Sequence, residues 1–451
     1  MTDLQTAIAR YHDWLAEGDL AAESQGMLDA LQQQRGLTFG TRPVCTVLRP
    51  RFLTTEQYRQ LQAAMHALLP AFRKAYVRAL HDAAFRAQFR LADWEEALIR
   101  DPEPYRASSP TARMDTFFAN GVPRCTEYNA ETPAGGAYHD ALAEIMLALP
   151  VMRRFEQHYE VHPLIPHKHH VLNALLQSYD EWGGRSRPRI AILDWEDVPT
   201  RAEFVEFQRY AQALGFECVI ADPRACDYHN GRLFVAGAPV NLVYKRVLIS
   251  ELITREGMNS PLVRAVRERA VCMVNSFHCK ILHRKTSLAV LSDETNADMF
   301  TPEEQRAIQR YIPWTRVVTE RRTHYEGQSV DLLPFIAQHK DAFVLKPADE
   351  YGGKGVVLGW TVSQAEWEQA LREALVQPTV VQARVTVPAE PYPSFADGAL
   401  HILDRWLDTN PYIWQDAYAS GCLTRLSTAA LLNVTAGGGS TVPTFVIEAR
   451  A

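Results

Sequence analysis

The chain has 451 residues, of which 47% are hydrophobic and 22% charged, with a formal net charge of −6. That balance describes an ordinary globular protein with length for about three domains of roughly 150 residues each. No long block of one sign interrupts it, which argues against nucleic acid or an anionic membrane surface as the main partner. The N-terminus MTDLQTAIARYHDWLAEGDL has Asp3 early and no apolar stretch, and nowhere do about eighteen apolar residues run together. Export and membrane spanning both lack a signal, so the expected location is the cytoplasm. The seven cysteines, Cys45, Cys125, Cys218, Cys226, Cys272, Cys279 and Cys422, form no C-x-x-C pair and are expected as reduced, mostly buried thiols. In that compartment the sequon at Asn433 carries no expectation of glycosylation.

Taken in chain order, residues 1–100 are rich in helix signals. Thr54 and Gln57 fit a capping box, and Tyr58, Leu61, Met65, Leu68 and Phe72 repeat at helical spacing, with Pro70 expected to kink or split the helix. DPEPYRASSP (101–110) reads as a linker. TARMDTFFANGVPRCTEYNAETPAGG (111–136) alternates on both sides of Asn120-Gly121 and predicts a β-hairpin. Residues 137–182 read as helical. Within them HPLIPHKHH (162–170) reads as a polar loop, because its proline-broken spacing lacks a cysteine or carboxylate partner for zinc. From 188, RPRIAILDW, AEFVEFQRYAQALG, FECVIADP and GRLFVAGAPVNLVYKR predict strand, helix, strand and hairpin, a small α/β unit. The last part holds FVLKPADEYGGKGVVLG (343–359), a further strand TVVQARVTV, and a terminal pair of strands flanking Gly437 to Gly439.

The glycine turn at 352–355 is neither of two familiar phosphate loops. No Gly-Lys-Ser/Thr closes it, and after Gly353 and Gly355 the third fingerprint position is Leu358, followed by strand-like residues. Gly352, Gly353 and Gly355 still allow backbone N–H groups to turn toward an anion, and Lys346 at a strand end supplies a fixed charge for it. The competing account is a hairpin turn with a surface lysine. Asp115, Glu127 and Asn129 are hard oxygen donors, a set suited to Mg²⁺ held together with substrate phosphates, and Arg113 shares the Asp115 face. The competing account there is a solvated polar hairpin face. A two-residue Asn-Gly turn would put Asp115 and Glu127 on opposite faces, so a three- or five-residue loop is expected. Lys285 opens an apolar run, Gln382 is placed to offer its amide to an adenine edge, and Arg425 with the triple glycine offers a second anion contact. Each has a plain structural alternative. No Ser-His-Asp or Cys-His signature is present.

Together these features resemble the ATP-grasp ligases in their circularly permuted form, typified by glutathionylspermidine synthetase and the eukaryotic-type glutathione synthetase. Order carries the resemblance: R-x-D, and E-x-N twelve residues later, precede Lys285 and the Lys346 loop, whereas ordinary ATP-grasp chains run the other way. EYNAETP is similar to the metal strand of glutathionylspermidine synthetases, and TRLSTAALLNVTAGGGSTVPTFVI is similar to the closing segment of permuted ATP-grasp proteins. The resemblance implies an α+β, α/β fold: a helical N-terminal region (1–105), metal-binding hairpin and helices of the core (106–185), an α/β pre-ATP-grasp-like domain (186–260), and the core with nucleotide lysines (261–451). It implies Mg²⁺ on Asp115, Glu127 and Asn129, and Arg113 on the transferred phosphate. Lys285, Lys346 and the Gly352 to Gly355 loop would hold ATP phosphates, with Gln382 at the adenine; Arg425 would make the second anion contact. The implied activity is ATP-dependent joining of a small-molecule carboxylate and an amine through an acyl phosphate. A phosphotransferase or a non-catalytic nucleotide-binding module would use the same cradle. The substrate-binding residues of glutathionylspermidine synthetase do not align with this sequence, so glutathione and spermidine are not implied as substrates. Substrate contacts are sought in DWEDVP, Tyr244, Lys245 and Arg246.

Overall fold

A computed structural model describes residues 3–39, 42–428 and 439–450. Gly437, Gly438 and the sequon at Asn433 lie outside the described residues. The hairpin forms from Thr111–Ala119 and Val122–Asn129. Its turn has two residues, because Ala119 pairs with Val122, and both Asn120 (φ 52°) and Gly121 (φ 75°) are left-handed. This corrects the expected odd-length loop: Asn-Gly is the pair whose backbone twist matches the flanking strands. Parity is restored elsewhere. Thr116 pairs with Cys125 but Asp115 pairs with Glu127, so Thr126 is an extra residue bulged out of the ladder. Met114, Cys125 and Tyr128 consequently share one apolar core with Met65 and Phe72, while Arg113, Asp115, Glu127 and Asn129 line the cleft on the other side.

The hairpin belongs to a seven-stranded antiparallel sheet built mostly from the end of the chain. The order is Ala389–Ala396, Ala399–Leu407, Tyr418–Ser427, Asn410–Trp414, Thr111–Ala119 and Val122–Asn129, with Ser440–Val442 also on Tyr418–Ser427. Arg113 faces Tyr412 in this register, so segments some three hundred residues apart are strand neighbours. The Thr55–His81 helix covers the apolar face. Thr54 and Gln57 exchange both capping-box bonds, at 3.1 and 3.0 Å. The helix is not split at Pro70, which is exposed, so water can satisfy the carbonyl one turn back. Residues 137–182 are not wholly helical. Tyr159–Pro163 is a strand, paired antiparallel with Thr444–Ala449, whose other edge takes Arg51–Leu53 in parallel. The expected polar loop at 162–170 is therefore a strand end and the start of the His167–Trp182 helix, where His167 and His170 are buried against Tyr412 and Trp414.

Two four-stranded sheets flank the cleft. A parallel sheet runs Cys272–Val274, Leu242–Lys245, Ile190–Leu193, Cys218–Ala221, with the Arg201–Ala213 helix as crossover. Its edge strand comes from beyond residue 260. The other sheet is antiparallel: Thr315–Val317, Thr379–Ala383, Phe343–Pro347, Val357–Leu358. Phe343 and Leu345 pack on Trp367 of the Gln364–Ala374 helix, and period-two alternation turns Val344 and Lys346 toward the cleft. No helix among the described residues is long and apolar enough to cross a membrane. All seven cysteines are free and buried.

Candidate functional site

Lys346 and Lys285 approach the acidic hairpin from different elements. Lys346 Nζ donates to Gln382 Oε1 at 2.7 Å and to the carbonyl of Thr126, the bulged residue, at 3.2 Å. Burial pushes its ammonium down to about 8, against the pull of Glu127 and with the push of Lys285. Lys285 sits just before the Thr286–Ser292 helix, buried, with Nζ 3.0 Å from Glu127 Oε1 and 2.6 Å from the carbonyl of Glu350. Its amide donates to the carbonyl of Ala348 at 3.0 Å. One lysine thus ties the entry of the glycine turn to the hairpin.

Asp115 stands between two arginines. Arg113 meets both carboxylate oxygens, Nε to Oδ1 at 2.7 Å and Nη2 to Oδ2 at 3.2 Å, and Arg425 Nη2 reaches Oδ2 at 2.7 Å. Arg425 is in turn clamped by Asp408, which accepts its Nε at 2.7 Å and its backbone amide at 2.8 Å. Burial alone would raise the Asp115 carboxyl, but Arg113 and Arg425 hold it well below the usual carboxylate range. The same ion pairs outweigh burial at Arg425 and hold its guanidinium above its ordinary value. Arg113, Arg425, Lys285 and Lys346 are four cations against the carboxylates of Asp115, Asp408 and Glu127. Lys346 meets no carboxylate among the described residues, which leaves the cluster with positive charge to offer an anion.

These groups line one cleft of about 520 Å³, whose walls include Arg113, Asp115, Glu127, Asn129, Lys285 and Lys346. Gln382, Arg425, Gly352 and Gly353 also line it. Gly355 does not. Its φ is +70° and a Cβ there would come within 2.8 Å of Pro347 Cγ, so that glycine shapes the turn from behind. The Gln382 carboxamide, expected to be open to an adenine edge, is engaged on both sides: Oε1 accepts Lys346 and Nε2 donates to Thr315 Oγ1 at 3.0 Å. It positions the lysine. Beside it the walls are apolar, from Val344, Leu358, Trp360, Val385 and Val387.

Sequence reasoning missed two supports. Asp408 precedes the Asn410–Trp414 strand without any local pattern to mark it. Glu131, within the EYNAETP string, is a buried hub: it accepts the amide of Ile249 at 2.5 Å and Lys280 Nζ at 3.1 Å, and lies 3.6 Å from Lys245 Nζ. Lys280 also holds Asp349, at the mouth of the glycine turn, at 2.5 Å. Burial raises the Glu131 carboxyl, but Lys280, Lys245 and His283 together hold it low.

Hard oxygen donors of the type a divalent cation takes share one wall of the cleft, although here Arg113 and Arg425 engage both Asp115 oxygens and Lys285 engages Glu127 Oε1. Asp115 and Glu127 are cross-strand partners, Asn129 lies two residues along on the Glu127 face, and all three line the cleft. The Asn129 carboxamide makes no hydrogen bond among the described residues. Asp115, Glu127 and Asn129 would be the residues to hold such an ion, together with substrate phosphate.

The family described as circularly permuted ATP-grasp type 2 matches residues 117–427 of this chain. Among solved structures, a glutathione synthetase-like effector from Globodera pallida, in apo form, superposes with a TM-score of 0.59 at 12% identity. The superposition covers 95% of this chain and 97% of that one. At that identity the likeness concerns the fold alone. The search of curated proteins gives no match.

Proposed function

The chain belongs to the circularly permuted ATP-grasp type 2 family, whose wider class is in general terms one of ATP-dependent ligases using Mg²⁺, and from that premise we propose that it joins a small-molecule carboxylate to an amine. The observation that carries the reading is the meeting of the acidic hairpin and the glycine-turn strand: Lys285 on Glu127, and Lys346 on the carbonyl of Thr126.

In this reading the apolar walls at Val344, Leu358 and Trp360 take the adenine, and Lys285 and Lys346 neutralise the triphosphate. Mg²⁺ on Asp115, Glu127 and Asn129 would supply charge neutralisation between neighbouring phosphates. Arg113 and Arg425, held in place by Asp115 and Asp408, present N–H groups to the transferred phosphoryl, where charge spreads over its oxygens. A substrate carboxylate oxygen attacks the γ-phosphorus as the bond to the β,γ-bridging oxygen breaks, giving an acyl phosphate and ADP. The amine nitrogen then attacks the acyl carbon. The C–O bond to phosphate breaks, the nitrogen loses a proton, and an amide and phosphate leave. The turn at Gly352 and Gly353, tied through Glu350 to Lys285, excludes water from the acyl phosphate.

The test is ADP release under a matrix of carboxylates and amines with Mg-ATP, with mass spectrometry for a condensation product. The ligase reading requires ADP that rises only when both partners are present. ADP with a carboxylate alone indicates a phosphotransferase, and ATP binding without turnover in any mixture would indicate a non-catalytic module.

A further inference from the structure

The α/β end of the cleft carries charges that the phosphate chemistry does not use. Asp194 follows the Ile190–Leu193 strand and Arg246 follows Leu242–Lys245; these strands are parallel neighbours, and the amide of Arg246 donates to the carbonyl of Leu193 at 2.9 Å. Both side chains leave the carboxyl edge of the sheet, where open α/β sheets collect ligands, and both line the cleft. The Asp194 carboxylate accepts the Trp195 amide at 2.9 Å through Oδ1 and meets no cation among the described residues. Arg246 is 6% exposed. Its Nη1 donates to the carbonyl of Pro133 at 2.8 Å and meets the Tyr244 hydroxyl at 3.2 Å, and Nη2 lies 3.5 Å from Glu203. Its buried Nε has no partner. Asp194 and Arg246 act on each other's charge, yet no ion pair joins them. Glu251, held by Trp195 Nε1 at 2.7 Å and the Tyr351 hydroxyl at 3.2 Å, adds negative potential beside them.

The two ends of the cleft are close. Arg246 takes the carbonyl of Pro133, and Arg113 takes that of Ala134 at 2.7 Å. Successive carbonyls hold the two guanidinium groups within about 10 Å of each other.

We propose that this wall receives the amine substrate as an α-amino acid, its carboxylate on Arg246 and its ammonium on Asp194. The inference rests on the ligase reading above and names the class of its second substrate. An α-amino acid carries both charges on one carbon, matching the Arg246 cation and the Asp194 anion, which line the same wall of the cleft without an ion pair between them. A simple amine would bring no carboxylate to Arg246, and a simple carboxylic acid would leave Asp194 without its cation. Burial raises the Asp194 carboxyl to about 6, despite Arg246, so near neutral pH it is mostly ionised.

The experiment is a thermal-shift screen of the twenty standard amino acids on the full chain, followed by calorimetry of the best ligand, each with and without a non-hydrolysable Mg-nucleotide. The same calorimetry is run on that ligand's descarboxy amine and its desamino acid. Removing either charged group is expected to weaken binding at least about tenfold, since each deletes a charge-assisted hydrogen bond. Asp194→Asn should abolish the difference between the amino acid and its desamino analogue; Arg246→Gln should abolish that between the amino acid and its amine. If Arg246→Gln does not fold, Asp194→Asn and the wild-type analogue series still decide. Binding by no amino acid in either condition, or an amine binding as tightly as its amino acid, overturns the inference. Nucleotide binding in those titrations reports on the ligase reading separately, because it depends on the Lys346 end of the cleft.

Discussion

Lys346→Met separates what the lysine does for the nucleotide from what it costs the empty protein. The displacement of its ammonium from 10.5 to about 8 makes the charged form cost roughly 3 kcal/mol near pH 7. The bonds to Gln382 and Thr126 return about 1 kcal/mol each. Methionine removes all three terms but leaves Gln382 Oε1 and the Thr126 carbonyl without that donor, so the empty variant should stay within about 1 kcal/mol of the parent at pH 7, a degree or so in midpoint. The sign of the charge cost follows from linkage. A lysine lowered in the folded state destabilises it wherever the unfolded chain holds the extra proton, below about pH 10, and the cost vanishes as pH rises past 10.5. Nucleotide affinity should fall about 10- to 100-fold with loss of a charge-assisted phosphate contact. Differential scanning fluorimetry at pH 7 and 10.5 and calorimetry with a non-hydrolysable nucleotide measure both. An affinity unchanged within threefold would refute the assignment, and a marked fall in midpoint at pH 7 would refute the charge accounting.

Binding of the polyanion should pull the Lys346 ammonium back toward its ordinary value. Nucleotide affinity is then greatest below pH 8 and declines above it, with up to about one proton taken up at pH 9, read from calorimetry in buffers of different ionisation enthalpy; no uptake contradicts the buried, lowered lysine. Asp115→Asn leaves Arg113 and Arg425 facing each other without their shared carboxylate. A loss of about 3 kcal/mol in denaturant-unfolding stability is expected, together with loss of Mg²⁺-dependent ADP release; full activity would remove the metal role. Deleting Thr126 should leave Asp115 opposite Glu127 in a regular ladder and the fold intact by circular dichroism, yet weaken nucleotide binding severalfold, because Lys346 loses one acceptor. Unchanged affinity would show that the bulge has no part in placing the lysine.

What could be read in advance was local chemistry: the carboxylates and amide of the hairpin, a lysine ending an apolar strand, glycines in a turn, and the order in which they occur. Position in space was less accessible. The facing of Asp115 and Glu127 has two solutions, an odd loop or an Asn-Gly turn with a bulge, and residue types alone do not choose between them. Gln382 could be assigned to a strand, but whether its amide is open depends on Lys346 and Thr315, far away in the chain. Asp408 carries no signal because its importance arises only when Arg425 crosses to Asp115. The unsplit helix at Pro70 and the strand at 159–163 escape for a related reason: the proline is exposed, and the strand exists because Thr444–Ala449 lies beside it.

The extra residue in the hairpin also gives the cleft a sense of whether it is shut. Gln382 travels with Lys346 on the same sheet, but Thr126 belongs to the opposing one. Were the Lys346 sheet to draw away from the hairpin, the ammonium would part from Thr126 and regain water, holding its proton more firmly. Acidic conditions would then favour a gaping empty cleft, and alkaline conditions or a bound polyphosphate a clasped one, the Thr126 carbonyl being the proton-sensitive contact beside those that Lys285 makes to Ala348 and Glu350 and Lys280 to Asp349.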